Sequence, residues 1–196
     1  MDNTNNEKKA VYEIFEWVES AVFAIVTVVL IFTFIFRIVG VVGESMESTF
    51  FSKDRIVISK ILYTPQRGDV VVLIQPDYKD DYPLIKRVIG IPGDKVTINE
   101  KGDVLINGVL IDEPYMNEPM NVNGLENVYT VGEDEIFVMG DNRNLSLDSR
   151  SPSIHNIKEK NVLGKAVFRI YPFNKFGFIK SGEYDIKSIN ENAGLD

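Results

Sequence analysis

The sequence AVFAIVTVVLIFTFIFRIVGVV, residues 21–42, runs directly into GESMESTF, residues 43–50. The first of these stretches is apolar except at four positions, which are Thr27, Thr33, Arg37 and Gly40. A run of this length matches the roughly 20 residues that a helix needs to cross the hydrocarbon core of a bilayer. We therefore expect a transmembrane anchor helix over residues 18–42, preceded by a cytoplasmic segment, residues 1–17, with an amphipathic start. Ser45 then lies just outside the membrane.

A cleaved signal peptide is the alternative interpretation of this segment, since Lys8 and Lys9 precede the apolar run. The run is long, however, and ends in Val-Val-Gly rather than in an Ala-x-Ala cleavage site, which favours an uncleaved anchor. More basic residues follow the span than precede it, so the positive-inside rule taken alone points the wrong way. Long C-terminal domains cross the membrane largely regardless of their charge, and charge alone does not fix the orientation.

Beyond residue 50 the sequence changes to short β-like runs that are separated by turn residues. The predicted strands are 55–61, 69–75, 84–91, 95–99, 103–106, 109–112, 135–139 and 162–171. Asn107-Gly108 is the strongest two-residue hairpin signal in the chain. The fold class is therefore mainly β, with a domain of antiparallel sheets over residues 43–180 behind one N-terminal transmembrane helix. Residues of about 95–130 would form a smaller inserted β lobe, and residues 181–196 a polar tail.

The composition excludes several kinds of site. The chain of 196 residues contains no cysteine and one histidine, His155, so thiolate catalysis and metal sites built on cysteines or several histidines are excluded. A net charge of −8 argues against a nucleic-acid partner. The carboxylate pairs Asp80-Asp81 and 133–135 lie in acidic, turn-like runs that are typical of solvated surfaces. We expect no cofactor.

Ser45 would need a base other than histidine to act as a nucleophile, because His155 lies in a polar loop. A free lysine is about one part in 250 neutral at pH 8, so a lysine base must be buried. Lys86 stands between apolar residues, in PLIKRVI, whereas most other lysines lie in polar stretches. On a strand Lys86 and Arg87 would face opposite ways. Periodicity alone also permits an ordinary strand lysine whose amine reaches solvent.

The sequence GDNRNLSLDSR, residues 140–150, follows a predicted apolar strand and is rich in polar side chains. It could be a solvated surface loop. Alternatively it is a structured loop in which Asp148 pairs with an arginine and Ser146 donates a hydrogen bond to an active-site group.

Three stretches together resemble the conserved boxes of bacterial type I signal peptidases, in a Gram-positive-like pattern. They are Ser45-Met46 after the apolar run, LIKRVIGIPGD at 84–94, and GDNR at 140–143 with DSR at 148–150. The resemblance implies that Ser45 is the nucleophile and Lys86 the general base of a serine–lysine dyad. It implies that Ser146 orients the Lys86 amine, that Asp148, Arg150 and Arg87 support the site, and that the Ser45 backbone N–H and the Gly43 region form the oxyanion hole.

The function that the resemblance implies is a membrane-bound serine endopeptidase that removes N-terminal signal peptides from exported preproteins, after small residues at −1 and −3. Its partners would be secretory preproteins and the lipid bilayer, and the enzyme would be a monomer. It would be a single-pass protein of the cell membrane, with a cytoplasmic N-terminus and an extracytoplasmic catalytic domain. Two competing interpretations are a self-cleaving repressor-type protein and a membrane-tethered β module that only binds a partner.

The chain departs from the family pattern at several positions. Ser48 stands where the family usually has proline, Asn144 where an acidic residue is common, and Leu84 where tyrosine is frequent. Core packing is the preferred expectation for three C-terminal aromatic residues, Phe173, Phe176 and Phe178, with a second membrane contact as the alternative.

Overall fold

The computed structural model describes residues 3–61, 63–76, 82–122, 124 and 127–184. The side chains of residues 3–11, 31 and 34 are not part of that description. The chain divides into two units at residues 37 and 38. The predicted acidic pair Asp80-Asp81 and most of the predicted tail, residues 185–196, lie outside the described residues.

The N-terminal unit consists mainly of one helix, α1, over Asn3–Ile35. Every described side chain from Tyr12 to Leu30 is exposed. Within the described ranges, no helix combines the length and the apolar character that a bilayer crossing requires.

The predicted extent of the anchor, 18–42, is wrong at its C-terminal end. The helix ends at Ile35 and the chain continues as a strand, β1, over Phe36–Gly40. Branched side chains at Ile38 and Val39 suit an extended backbone. Just beyond β1, Val41 donates its N–H to Asp54 O at 2.8 Å and is buried in the core of the second unit.

Among the described residues, the larger of two sheets has eight strands and contains the strand that carries Lys86. Its strands run in the order β1, β2, β11, β3, β4, β9 and β10, and β12 pairs with β11. The bounds are Arg55–Ser59 for β2, Val70–Leu73 for β3, Leu84–Gly90 for β4, Glu135–Met139 for β9, Ile157–Lys158 for β10, Val162–Tyr171 for β11 and Gly177–Phe178 for β12. All pairs with a described register are antiparallel, which confirms the predicted fold class of antiparallel β sheets.

The smaller sheet lies between residues 95 and 130 of the chain. Its four strands run in the order β7, β6, β5 and β8. The bounds are Lys95–Ile98 for β5, Val104–Ile106 for β6, Val109–Leu110 for β7 and Asn127–Thr130 for β8. Short 3-10 turns at Glu159–Asn161 and Phe173–Lys175 complete the described elements.

Strand β4 occupies an interior position in the larger sheet, between β3 and β9. Six of its seven residues are buried, and the first is half-buried. A strand in such a position has both faces covered by protein, so each side chain that it carries must find its partners inside the molecule.

Two expectations for the C-terminal region are corrected. Phe173, Phe176 and Phe178 are exposed by 80%, 61% and 85%, so they are not core residues. Among the predicted tail residues, 181–184 are held against the sheet rather than loose. Ser181 Oγ donates to Asp69 Oδ1 at 2.7 Å, and Gly182 N donates to Gly68 O at 2.9 Å.

Candidate active site

The turn that carries Ser45 is held at both ends by buried apolar side chains. Met46 and Phe50 are 2% and 0% exposed and pack in one core cluster with Ile85 of β4. Phe50 N donates to Met46 O at 2.7 Å, which closes the turn. Gly43 has φ of +92°, a conformation that glycine adopts at little cost and that lets the chain reverse just before Ser45.

Lys86 lies beside Ser45, which is the position that a lysine base would need. Its Nζ is 2.7 Å from Ser45 Oγ, within hydrogen-bonding distance. The residue is 3% exposed. The pKa of the Lys86 amine is lowered from 10.5 to about 8, chiefly by burial; the charge of Arg150 contributes to this lowering, and the carboxylates of Asp148 and Asp141 oppose it. A large share of the amine is therefore neutral near pH 8 and can accept a proton.

Asp148 organises the polar loop that follows β9. It accepts the Gly140 N–H at 2.9 Å and is bound by Arg150 through Nε at 2.8 Å and Nη2 at 2.9 Å. Burial of this carboxylate raises its pKa, but the hydrogen bonds that it accepts, chiefly from Arg150, and the charge of Arg150 together hold the pKa below its usual range. The predicted pairing of Asp148 with an arginine is therefore present, and the arginine is Arg150.

Ser146 lies close to Ser45 across Gly140. A Cβ at Gly140 would be 2.3 Å from Ser146 Oγ and 2.4 Å from Ser45 O, so both groups approach because glycine has no side chain. Asn142 N also donates to Ser45 O at 3.1 Å. Ser146 Oγ is buried and has no hydrogen-bond partner among the described residues. Its role in orienting Lys86 stays a prediction.

Arg87 is directed to a different set of partners from Lys86. It donates from Nε and Nη2 to the two carboxylate oxygens of Asp141 at 2.8 and 2.7 Å, and from Nη1 to Gly68 O at 2.8 Å. Burial lowers the pKa of the guanidinium, but Asp141 outweighs that effect and raises it. Arg87 is thus a fixed cation that secures the loop to β4.

A cavity of about 500 Å³ opens beside the Ser45–Lys86 pair. It is lined by residues 39–43 with Ser45 and Met46, and by residues 82–86; of these, 39–40 belong to β1 and 84–86 to β4. Apart from Ser45 and Lys86 its lining is mainly apolar. The Ser45 N–H makes no backbone hydrogen bond to a described residue.

Sequence reasoning did not single out Tyr115 and its neighbours, which lie in a stretch, residues 112–128, that is rich in asparagine and contains two prolines. Ser48 Oγ donates to Tyr115 O, and the Tyr115 ring lies 3.9 Å from the Arg87 guanidinium carbon. Glu113 forms a buried ion pair with Arg143. A tyrosine among the prolines and asparagines of a polar stretch was the one available signal. His155, by contrast, is exposed, as its polar loop suggested.

The comparisons with known proteins agree with each other. The family described as signal peptidase, peptidase S26, matches residues 14–171. Signal peptidase I P of Bacillus subtilis subsp. natto is 35% identical over 188 residues, which cover 90% of this chain and 99% of that protein. Signal peptidase IB of Staphylococcus aureus (strain COL) is 36% identical over 186 residues, covering 84% and 93%. The crystal structure of a signal peptidase I from Enterococcus faecalis V583 is 30% identical with a TM-score of 0.44, over 53% of this chain and 97% of that chain.

Proposed function

Because the chain belongs to the signal peptidase family, peptidase S26, we propose that Ser45 and Lys86 perform its peptide-bond hydrolysis as a serine–lysine dyad. The chain is a serine peptidase that cleaves signal peptides from preproteins. The observation that carries the residue assignment is the 2.7 Å distance between Ser45 Oγ and the nitrogen of a lysine that is 3% exposed.

In the first step the neutral Lys86 amine accepts the proton of the Ser45 hydroxyl as Oγ attacks the scissile carbonyl carbon. Lys86, now an ammonium, gives that proton to the leaving amine, and an acyl-enzyme ester on Ser45 remains. A water molecule then attacks the ester carbonyl while Lys86 again serves as the base. Release of the carboxylic acid returns Ser45 to its hydroxyl form.

The Ser45 N–H is the proposed donor to the oxyanion that forms at each attack. Its lack of a backbone hydrogen-bond partner among the described residues supports this role. Gly43, two residues earlier, has no side-chain hydroxyl, so a second donor from this region would have to be a backbone group. The oxyanion hole of this chain would then consist of main-chain amides.

The substrate would bind as an extended peptide in the cavity beside the dyad. The lining includes strand residues 39–40 of β1 and 84–86 of β4, which could offer backbone groups to a strand placed between them. Its mainly apolar lining suits small side chains at the −1 and −3 positions of the signal peptide.

Cleavage of a purified preprotein with an Ala-x-Ala site tests the assignment. Ser45→Ala and Lys86→Ala should each lose at least about 10³-fold in rate, since residues of such a unit act together. Ser52→Ala and Lys53→Ala are matched controls, because both side chains are exposed, and should keep the wild-type rate. Cleavage by both active-site variants would refute the dyad, and binding of the preprotein without any cleavage by wild type would favour the binding module.

We also propose that the chain is attached to the lipid bilayer, with its catalytic unit on the extracytoplasmic side. Two separate features support attachment. The described side chains of α1 from Ala21 to Leu30 are largely apolar and exposed, and so are Phe173, Phe176 and Phe178. Protein that floats with membranes through a density gradient, and whose C-terminal unit is digested by protease added outside intact cells, would support the proposal. Recovery in the unbound fraction would contradict it.

The catalytic unit is proposed to act as a monomer, because one chain supplies both Ser45 and Lys86. Light scattering in detergent should give the mass of a single chain, after subtraction of the bound detergent. A dimer whose activity falls on dilution would contradict this.

A further inference from the structure

Tyr115, in the loop between β7 and β8, touches the segments on both sides of the proposed dyad. Its backbone oxygen accepts the hydroxyl of Ser48, three residues after the nucleophile. Its ring lies 3.9 Å from the guanidinium carbon of Arg87, the residue next to Lys86. One residue therefore contacts both the turn that presents Ser45 and the strand that presents Lys86.

A third contact leads from Tyr115 to the loop that begins at Gly140. The Tyr115 hydroxyl donates to Glu113 Oε1 at 2.8 Å, and Arg143 Nη1 donates to Glu113 Oε2 at 3.0 Å. Arg143 Nε in turn donates to Gly140 O at 3.0 Å. The side chains of Arg143 and Glu113 are 1% and 4% exposed, so this link is shielded from solvent.

The C-terminal segment holds Tyr115 from a fourth direction. The two hydroxyl oxygens of Tyr115 and Tyr184 are 2.6 Å apart. Tyr184 lies two residues after Gly182, and Ser181 and Gly182 bind Asp69 and Gly68 just before β3, which restrains the position of Tyr184. It lies beyond residue 171, where the match to the family ends.

We propose that Tyr115 is a positioning residue that fixes the distance between Ser45 Oγ and Lys86 Nζ. Without it, the Ser45 turn and β4 lose one of the contacts that hold them together, and their relative position is less restrained. Ser48 takes part because it stands where the resemblance places a proline. A hydrogen bond from its side chain to Tyr115 O restrains the turn that a proline ring would otherwise restrain.

This inference rests on the proposed dyad and predicts an effect on the chemical step. Misplacement of reacting groups by about 1 Å can cost on the order of 10²-fold in rate. Neither the Tyr115 ring nor its hydroxyl lines the cavity beside Ser45, so substrate affinity should change little. The signature of positioning is therefore a fall in kcat at nearly constant KM.

The test compares Tyr115→Leu with Tyr115→Phe in the full-length enzyme in lipid vesicles. Reactive Ser45 is counted with a covalent serine-directed inhibitor, so that kcat refers to folded sites only. Tyr115→Leu, which removes the ring from Arg87, should lower kcat per reactive site by about 10- to 100-fold, with KM changed by less than about threefold. Tyr115→Phe, which keeps the ring and the backbone contact, should retain activity within a few-fold of wild type.

Tyr63→Leu is the matched control, since Tyr63 is half-buried, bonds to Asp69 and does not touch the Ser45 turn. It should leave kcat per site unchanged. If Tyr115→Leu does not fold, Ser48→Ala provides the same test through the backbone contact and should lower kcat several-fold. Unchanged kcat per reactive site in the folded variant overturns the positioning role, whereas cleavage by Ser45→Ala would overturn the dyad itself.

Discussion

The pH dependence of the chemical step tests the state of Lys86 directly. If its pKa is about 8, the neutral fraction of the amine is about 9% at pH 7, half at pH 8 and about 97% at pH 9.5. The rate should therefore rise about twofold between pH 8 and pH 9.5 and then level off. A lysine with the ordinary pKa of 10.5 would instead become more neutral by roughly 29-fold over the same interval.

The measurement is single-turnover cleavage of a preprotein at saturating enzyme, from pH 6.5 to pH 9.5, in vesicles of constant composition. Near-ultraviolet circular dichroism at each pH establishes that the fold is unchanged. A rate that still increases close to tenfold per pH unit above pH 9 would refute the conclusion that burial depresses the pKa of Lys86.

Substitution of Arg150 should move the midpoint of the pH–rate profile in a known direction. The charge of Arg150 lowers the pKa of Lys86, and Arg150 also pairs with Asp148, whose carboxylate raises that pKa. Arg150→Met removes the lowering charge and leaves Asp148 unpaired, so the apparent pKa should shift upward for both reasons. Lys158→Met is the control, because Lys158 is exposed and pairs with Glu135 instead. A downward shift in the Arg150 variant would contradict this account of the electrostatics.

Three further predictions concern stability and packing. The folded pKa of Lys86 lies below its unfolded value, so the wild type loses stability as the pH falls from 10.5 to 8. Lys86→Met should therefore have a free energy of unfolding higher than that of the wild type by up to about 3 kcal/mol at pH 7. Urea unfolding should show that this difference is smaller at pH 10.5 than at pH 7. Gly140→Ala should reduce activity by at least about 10²-fold, measured as cleavage rate, because its Cβ would displace Ser146 or the Ser45 backbone. Asp141→Asn should lower the free energy of unfolding by about 3 kcal/mol, because it leaves the buried charge of Arg87 unpaired.

Controls for these variants come from the same chain. Gly132→Ala places its Cβ against the end of the flexible Glu135 side chain and should keep full activity. A Gly140→Ala enzyme with normal activity would show that the close approach of Ser146 is not needed. Equal stabilities of Lys86→Met and wild type at both pH values would indicate that Lys86 carries no burial penalty.

The sequence predicted most of the longer strands and singled out Lys86 as a candidate base, because both depend on local patterns. Short runs rich in apolar residues predicted β9 and β11 at their observed bounds, and apolar neighbours marked Lys86 as the lysine to be buried. The pairing of Asp148 with an arginine was one of two alternatives for its loop, and its partner Arg150 is only two positions away. Such features need no knowledge of distant contacts.

Features that depend on distant contacts were not predictable. β1 forms in an apolar run that was expected to be helical throughout. These residues are extended because they pair with the edge of the larger sheet, and their composition alone does not distinguish a helix from a strand. Tyr115 acts through partners 28 to 69 positions away in the chain, as the contacts to Arg87, Arg143 and Tyr184 show. The C-terminal segment was similarly misjudged, since its polar side chains bind the sheet.

The adjacent cations of β4 make strand alignment part of the chemistry. Lys86 pairs with Val71, and Arg87 with Val70 and Met139, so neighbours on both sides hold the strand in step. A slip by one residue would turn every side chain of β4 to the other face. It would present a permanently charged guanidinium to Ser45 and press an ammonium against Asp141. A misaligned sheet could therefore be folded and still lack a base for Ser45, so the correct register of β4 is a requirement for activity that is separate from folding.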